Sequence, residues 1–198
     1  MKKGTEKMTL YINACVRKNS RTDELARELL RQLDPEFRER KLAEEPLSVL
    51  SDERLEYRTK QIEEGNFDDP MFAYAREFAS ADKIVISAPY WDLSFPAILR
   101  MYIENIYVTG IVSRYGEDGI PQGLCRAESL YYVTTAGGPY DPRYSYEYLK
   151  ELCTECFGIR DVHLLKAEML DVVGSDVAGI LQDAKRKIPA LLSDTHSA

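Results

Sequence analysis

The stretch Lys83-Ile84-Val85-Ile86-Ser87-Ala88 is the clearest buried β-strand that this sequence predicts. Its β-branched apolar residues run without a charge after the first position, and Pro89 ends the segment. Four further short runs are predicted as strands, at 8–13, 37–42, 130–134 and 161–167. The run at 37–42 carries so many charges that, if it is a strand, we expect it at a sheet edge.

Segments with helical spacing separate these strands. Apolar residues at 25, 26, 29, 30 and 33 predict an amphipathic helix over 23–33. Further helices are predicted over 51–64, from Asp69-Pro70, from Pro96, over 145–157 and over 176–192, where Pro189 introduces a kink. Strands that alternate with helices favour a doubly wound α/β fold, with a five-stranded parallel sheet covered on both faces. We expect a single domain over 1–198, with 1–7 as a flexible terminus.

Composition excludes several classes of protein. The chain has 198 residues, of which 44% are hydrophobic and 30% are charged, as in an ordinary globular domain. Because Asp and Glu outnumber Lys and Arg by 33 to 26, we expect no nucleic-acid partner. The N-terminal region lacks a signal-peptide cleavage pattern and no run of about 18 apolar residues occurs, so we expect a cytoplasmic protein without a membrane span.

The cysteines and histidines give no sign of a metal site. Cys15, Cys125, Cys153 and Cys156 are interpreted as free thiols, and His163 and His196 lie too far apart in sequence for a His/Cys cluster. Cys153 and Cys156 have C-x-x-C spacing, but they fall at the end of a predicted helix, where the dipole disfavours a thiolate. We therefore interpret them as structural thiols, and His163 as a residue of the sheet.

The loops after three strands are the places where this fold class binds ligands. The first, 14–22, leads into a helix whose free amide groups carry partial positive charge, and it adds two hydroxyl and two guanidinium groups, from Ser20, Thr22, Arg17 and Arg21. These features predict a phosphate-monoester site, although they also fit an ordinary helix cap with solvated basic neighbours. Neither a P-loop nor a G-x-G-x-x-G motif is present, which favours a mononucleotide.

The other two loops contribute aromatic and backbone groups. In the loop 89–95, Tyr90 and Trp91 are suited to contact a flat heterocycle, and Asp92 is suited to accept hydrogen bonds from its ring amides. The alternative is that Trp91 and Phe95 pack beneath the next helix. In the loop 134–140, Gly137 and Gly138 allow backbone amides to approach a ligand closely, although a plain turn would also use them.

Taken together, three segments resemble a known family: 15-CVRKNSRTDELA-26, 88-APYWDLSFPAILRMYIEN-105 and 134-TTAGGPY-140. With 114–119, 157–159 and 167–168, the likeness to the flavodoxin-like NAD(P)H:quinone reductases and FMN-dependent NADH azoreductases covers nearly the whole chain. The resemblance implies the flavodoxin-like strand order 2-1-3-4-5 and a homodimer with one FMN per subunit near the dimer interface. It also implies a ping-pong, two-electron hydride transfer from NAD(P)H to quinone or azo-type acceptors.

Loop chemistry and resemblance together predict the residues of the site. FMN contacts are expected from Cys15, Arg17, Ser20, Arg21, Thr22, Pro89, Tyr90, Trp91, Asp92, Leu93, Thr135, Ala136, Gly137 and Gly138. Cys15 stands where the family commonly has a serine, and Asp92 where it commonly has an asparagine. No catalytic side chain is required, since flavin N5 carries the hydride and the Gly137 and Gly138 amides stabilise negative charge on the reduced ring. Phe95, Tyr115 and Tyr140 are predicted walls of the pocket for a small aromatic acceptor.

A rival interpretation is a non-enzymatic flavodoxin-like electron carrier or FMN-binding sensor, which would share the fold. A hydrolase on the same sheet is disfavoured, because the sequence has no G-x-S-x-G elbow and no histidine at a predicted strand end. The sequence leaves open the choice of NADH or NADPH and the identity of the acceptor.

Overall fold

A computed structural model describes residues 7–193 of the chain. Its strands are β1 (Thr9–Asn13), β2 (Phe37–Lys41), β3 (Lys83–Ser87), β4 (Ser113–Tyr115), β5 (Pro121–Gly123), β6 (Ser129–Thr135) and β7 (Asp161–Ala167). Its helices are α1 (Arg21–Leu33), α2 (Asp52–Glu63), α3 (Ala73–Ser80), α4 (Ala97–Ile106), α5 (Tyr146–Glu151), α6 (Val177–Arg186) and α7 (Ile188–Ser193).

Five of the strands form one parallel sheet in the order β2-β1-β3-β6-β7. Since β6 and β7 are the predicted fourth and fifth strands, the doubly wound sheet with order 2-1-3-4-5 is confirmed. The charged strand β2 lies at a sheet edge, where its polar side chains reach solvent. The central strand β3 is buried from Ile84 to Ser87, as its apolar sequence predicts.

Alternating side chains divide the core into two layers, one on each face of the sheet. On one face, Tyr11, Val85 and Tyr131 pack in a buried cluster with residues of α1, α6 and α7. On the other face, Ile12, Ile84 and Tyr132 belong to a cluster that includes residues of α3 and α4 and the segment after α5. Helices therefore cover both faces, and the carboxyl edge of the sheet is left for loops.

The structure differs from the sequence-based prediction at two places and agrees with it at a third. The antiparallel hairpin of β4 and β5 was not predicted, because its strands are only three residues long and mostly polar. The predicted helix 145–157 continues from α5 as a wider π-helical segment, Leu152–Phe157, which contains both cysteines of the C-x-x-C pair. The predicted helix 176–192 is divided at Lys187 into α6 and α7, just before Pro189, in line with the expected kink.

Gly123 at the end of β5 allows the hairpin to pack against the main body. A Cβ atom at this position would lie 2.0 Å from the Gly158 nitrogen and 2.1 Å from the Phe157 carbonyl carbon. No side chain fits in that space, so the close backbone approach requires glycine.

Several remaining predictions concern single residues or the termini. His163 lies in β7 with its ring stacked on Tyr131 at 5.0 Å, and the four cysteines are free thiols. The predicted flexible segment 1–7 falls outside the described residues, apart from Lys7. Between residues 7 and 193, no helix is long and apolar enough to cross a membrane, and no group of three His, Cys, Asp or Glu side chains is arranged to hold a metal ion.

Candidate functional site

A cavity of about 310 Å³ lies at the carboxyl edge of the sheet. Its volume is at the lower end of the range of about 300–1,000 Å³ typical of small-molecule sites, and its place is the ligand site expected of doubly wound sheets. Four loops line it, with the residues Val16, Arg17, Asn19, Ser20, Arg21, Thr22, Pro89, Tyr90, Trp91, Thr135, Ala136, Gly137, Leu170 and Asp171.

The register of the sheet brings the three predicted loops side by side. Asn13 pairs with Ser87, and Ser87 with Val133, at the ends of neighbouring strands. Beyond these pairs, the Ala14 amide donates to the Ser87 carbonyl at 2.9 Å, and the Tyr90 amide donates to the Thr135 carbonyl at 3.0 Å. Backbone hydrogen bonds thus hold each loop to the next where it leaves the sheet.

The amino end of α1 opens into the cavity. Ser20 is the N-cap, and its Oγ accepts from the Asp23 amide at 3.3 Å. The Arg21 and Thr22 amides, in the first helical turn, have no partner among the hydrogen bonds of residues 7–193. Ser20 therefore caps the helix, as the alternative interpretation of this loop holds, and the amides that follow it offer partial positive charge to an anion.

A hydrogen bond between two threonines joins the first loop to the glycine loop. Thr22 Oγ1 and Thr135 Oγ1 lie 2.6 Å apart, and both residues are buried. Each hydroxyl can donate to only one acceptor, so the pair has one further proton to donate toward the cavity.

The two arginines at the cavity differ in their surroundings. The Arg21 guanidinium donates to the Leu170 carbonyl at 3.0 Å and to Asp171 Oδ1 at 2.6 Å. Arg17 makes no ion pair within the described part of the chain and instead lies over the Trp91 ring, 5.9 Å from its centroid. Arg17 is therefore the cavity arginine whose positive charge is not offset by a carboxylate.

A tight turn forms the aromatic wall of the cavity. Trp91 and Ser94 exchange both backbone hydrogen bonds, at 3.0 and 2.8 Å, which forces Asp92 and Leu93 into left-handed backbone conformations with φ of 50° and 66°. Glycine or asparagine usually occupies such positions, so the turn is strained. Behind it, the rings of Tyr90 and Tyr140 meet edge to face at 4.9 Å.

A buried polar network supports the first loop from below. Tyr11 Oη donates to Asp23 Oδ1 at 2.6 Å, and Asn13 Nδ2 donates to the same oxygen at 3.0 Å. The Asn13 side-chain oxygen accepts from the Cys15 amide at 2.9 Å, which fixes the start of the loop. Burial and the neighbouring carboxylate raise the pKa of Tyr11, and burial raises the pKa of the Cys15 thiol, so both groups stay neutral at pH 7.

Most residues predicted to contact the cofactor line this cavity, and four do not. Cys15 lies beneath the loop, with its sulfur 3.5 Å from Ser87 Oγ. Asp92 and Leu93 lie at the exposed tip of the turn. Gly138 is adjacent to the lining, where a Cβ atom would meet nothing within 4 Å, so its backbone borders open space.

The three predicted acceptor residues do not share one cavity. Phe95 lines a neighbouring cavity of about 430 Å³ together with Tyr144 and Tyr148. Tyr115 is exposed on β4, whereas Tyr140 is buried and its hydroxyl is 2.9 Å from Ser145 Oγ. Burial raises the pKa of Tyr140 to about 12.

Sequence reasoning did not identify four of the lining residues. Val16 and Asn19 lie within the first loop, and Leu170 and Asp171 lie in the loop after β7. The fifth strand also ends at the carboxyl edge, so the rule that selected the other three loops would have found this one as well.

Comparison with known proteins identifies the family. A family model described as flavodoxin-like fold matches residues 7–192. An FMN-dependent NADH:quinone oxidoreductase of Coprothermobacter proteolyticus is 32% identical over 194 residues, which cover 92% of this chain and 96% of that protein. This chain belongs to the flavodoxin-like family of the FMN-dependent NADH:quinone oxidoreductases.

Other members support the same assignment. FMN-dependent NADH:quinone oxidoreductase 2 of Clostridium acetobutylicum is 42% identical over 151 residues, 74% of each chain. The family fold is shared with an FMN-dependent NADH-azoreductase from Bacillus anthracis, solved in complex with FMN, with a TM-score of 0.79 over 96% of this chain and 99% of that one, at 22% identity. The family that the three loop segments resemble is thereby confirmed.

Proposed function

We propose that this chain is an FMN-dependent NADH:quinone oxidoreductase. The observation that carries the proposal is the combination, in one cavity, of a helix amino end and an uncompensated arginine with an aromatic and glycine-rich wall. A flat ring system with one phosphate monoester needs these two kinds of surface close together. Family membership supports FMN as that group and NADH as the electron donor.

The residues fit FMN at both ends of the cavity. The amides of Arg21 and Thr22, the hydroxyls of Ser20 and Thr22 and the Arg17 charge would hold the phosphate. Tyr90 and Trp91 would contact the ring, and the Gly137 and Gly138 amides would donate to its pyrimidine oxygen and nitrogen atoms. The buried Tyr90 hydroxyl, which has no hydrogen-bond partner among residues 7–193, is a further donor at this wall.

Bound FMN would supply the redox chemistry, hydride acceptance from NADH and two-electron transfer to a quinone. The chain itself supplies binding and electrostatics. The glycine-loop amides would stabilise the negative charge that the ring gains, and the hydroxyl and amide groups at α1 would anchor the phosphate during successive exchange of NADH and acceptor. No side-chain acid or base is assigned to this reaction.

Several finer features belong to the same proposal. We infer that the chain forms a homodimer, which the exposed aromatic side chains of Trp91 (37%), at this cavity, and Tyr144 (56%), at the neighbouring one, support. We also infer azo compounds as alternative acceptors and a cytoplasmic location for a single-domain protein. Light scattering tests the dimer, and turnover with NADPH and with an azo dye tests the breadth of substrates.

The decisive experiment uses the purified protein loaded with FMN under anaerobic conditions. We expect NADH to bleach the visible flavin absorbance and one equivalent of a benzoquinone to restore it. A protein that binds FMN but is reduced by neither NADH nor NADPH would be a carrier or sensor instead. If the protein binds no FMN, the proposed function is wrong.

A further inference from the structure

The loop after β7 holds a carboxylate at the cavity through an ion pair and backbone hydrogen bonds. Asp171 Oδ1 accepts from the Arg21 guanidinium at 2.6 Å, with 65% of the Asp171 side chain and 35% of the Arg21 side chain exposed. The Asp171 amide donates to the Gly137 carbonyl at 2.9 Å, and the Leu170 amide donates to the Ala136 carbonyl at 3.2 Å. These contacts fix Asp171 against the glycine loop.

The Asp171 carboxylate lies directly beside Gly137. A Cβ atom on Gly137 would be 2.4 Å from Asp171 Oδ2, so the carboxylate occupies the space that a side chain would need. Both residues line the cavity. Any ring or phosphate bound there therefore lies within the field of this negative charge, which is partly offset by Arg21.

We propose that Asp171 is an electrostatic tuning residue that lowers both the affinity of the site for FMN and the reduction potential of the bound flavin. The inference rests on the proposed function. A hydride from NADH brings two electrons and one proton and leaves NAD⁺, so the flavin gains one negative charge. The carboxylate opposes that charge, and it also opposes the phosphate by offsetting Arg21. A lower potential makes the reduced enzyme a stronger reductant for the quinone.

Asp171→Asn is the direct test, because asparagine has the same shape and its side-chain oxygen still accepts from Arg21. Removing one charge from the lining of a partly solvated cavity is expected to tighten FMN binding about fivefold. The equilibrium constant for reduction of the bound flavin is expected to rise about fivefold. For a two-electron couple, at about 30 mV per tenfold change, the midpoint potential should then rise by about 20 mV. Riboflavin, which has no phosphate, should change its dissociation constant by less than about twofold.

Three variants separate charge from packing. Asp171→Glu keeps the charge and alters the geometry, so its FMN affinity and potential should stay close to those of the original protein. Asp183→Asn removes the same charge from α6, where the residue is not part of the cavity lining, and should leave both quantities unchanged. Arg21→Gln leaves Asp171 unpaired and should weaken FMN binding about tenfold, and adding Asp171→Asn should recover most of that loss.

The measurements are fluorescence titrations with FMN and riboflavin and a spectroscopic redox titration against a dye of known potential. Equal changes for FMN and riboflavin, a potential that does not rise in Asp171→Asn, or a double variant that binds FMN no better than Arg21→Gln alone would each overturn the inference. Failure of the original protein to bind FMN would instead overturn the proposed function, so the two outcomes are distinguishable.

Discussion

The two walls of the cavity are built in opposite ways. At the α1 wall, the hydroxyls of Thr22 and Thr135 are buried and bonded to each other, and Arg21 is tied to the β7 loop. At the aromatic wall, Trp91 is 37% exposed and is followed by two residues with left-handed backbone angles. The α1 wall is preorganised for one anion, whereas the aromatic wall keeps exposed side chains in a strained turn. A rigid anion site beside an exposed aromatic wall suits a cofactor whose phosphate stays bound while its ring contacts first the electron donor and then the acceptor.

The largest effect is expected from disabling the α1 wall. Ser20→Ala with Thr22→Ala removes two hydroxyls proposed to bind the phosphate, so FMN affinity should fall about 100-fold, or about 3 kcal/mol. Riboflavin affinity should change less than about threefold. The free energy of unfolding should fall by about 2 kcal/mol, because the cap is lost and Thr135 loses its partner. Fluorescence titration and thermal melts measure both.

Ser51→Ala is the matched control, because Ser51 caps α2 by accepting from the Arg54 amide and lies away from the cavity. It should cost about 1 kcal/mol of stability and leave FMN affinity unchanged. If the double variant at α1 binds FMN as the original protein does, the phosphate site has been misplaced.

The next effect tests the strain of the aromatic wall. Leu93→Gly removes a side chain that the left-handed backbone disfavours, so we expect a gain of about 1 kcal/mol. The melting temperature should rise by about 2–4 °C, which calorimetry measures. Val49→Gly is the control, since Val49 is similarly exposed, at 64% against 60%, but is not among the residues with positive φ. Its melting temperature should fall, and a fall in both variants would show that the turn is unstrained.

A smaller effect is expected where the two walls meet. Arg17→Gln removes the cation–π interaction with the Trp91 ring, which contributes about 0.5–1 kcal/mol. The same change removes a positive charge near the proposed phosphate site. FMN affinity should fall about threefold. Trp91 is the single tryptophan of the chain, so quenching of its emission by FMN reports binding directly. Lys18→Gln, a neighbouring cation outside the lining, should have no such effect.

The smallest effect concerns pH and the glycine loop. Glu168 accepts from Lys166 at 2.7 Å and from the Tyr140 amide at 2.8 Å, and the Lys166 hydrogen bond chiefly lowers the pKa of this carboxyl group. Its stabilisation is therefore present above the unfolded-state pKa of about 4.3 and is lost as the pH falls through the lower folded value.

Because Glu168 is partly exposed, its contribution should be only a few tenths of a kcal/mol. Glu168→Gln should flatten the loss of stability below about pH 4.5, measured by denaturant unfolding at several pH values. The exposed Glu36→Gln serves as the control and should keep the original slope. An unchanged slope in Glu168→Gln would mean that the carboxylate does not stabilise the loop.

Sequence patterns predicted the main elements of the fold because each pattern is local. The run at 83–88 became the buried strand β3, and the charged run at 37–42 became the edge strand β2. The hairpin of β4 and β5 escaped prediction because its three-residue strands depend on a contact between Gly123 and the distant Phe157. The π-helical segment after α5 likewise has no local signal that distinguishes it from an α-helix.

The three loops of the candidate site could be predicted, but not their full chemistry. Amide, hydroxyl and glycine positions follow from strand ends and helix starts, so Ser20, Thr22 and Gly137 were accessible to sequence reasoning. The partner of Arg21 was not, since Asp171 lies 150 residues away in sequence. The place of Phe95 was not accessible either, because the neighbouring cavity that it lines is completed by Tyr144 and Tyr148, which lie far along the chain.

The sequence by itself determined which segments are strands and helices and which loops meet at one edge, because periodicity and turn residues express the burial and backbone preference of each element. Only the tertiary structure decided which side chains meet across the cavity. The Thr22 and Thr135 hydroxyls are 113 residues apart in sequence, and their contact arises from the parallel register of β1, β3 and β6. Register is a property of the whole sheet, so no single segment encodes the charge balance of the site.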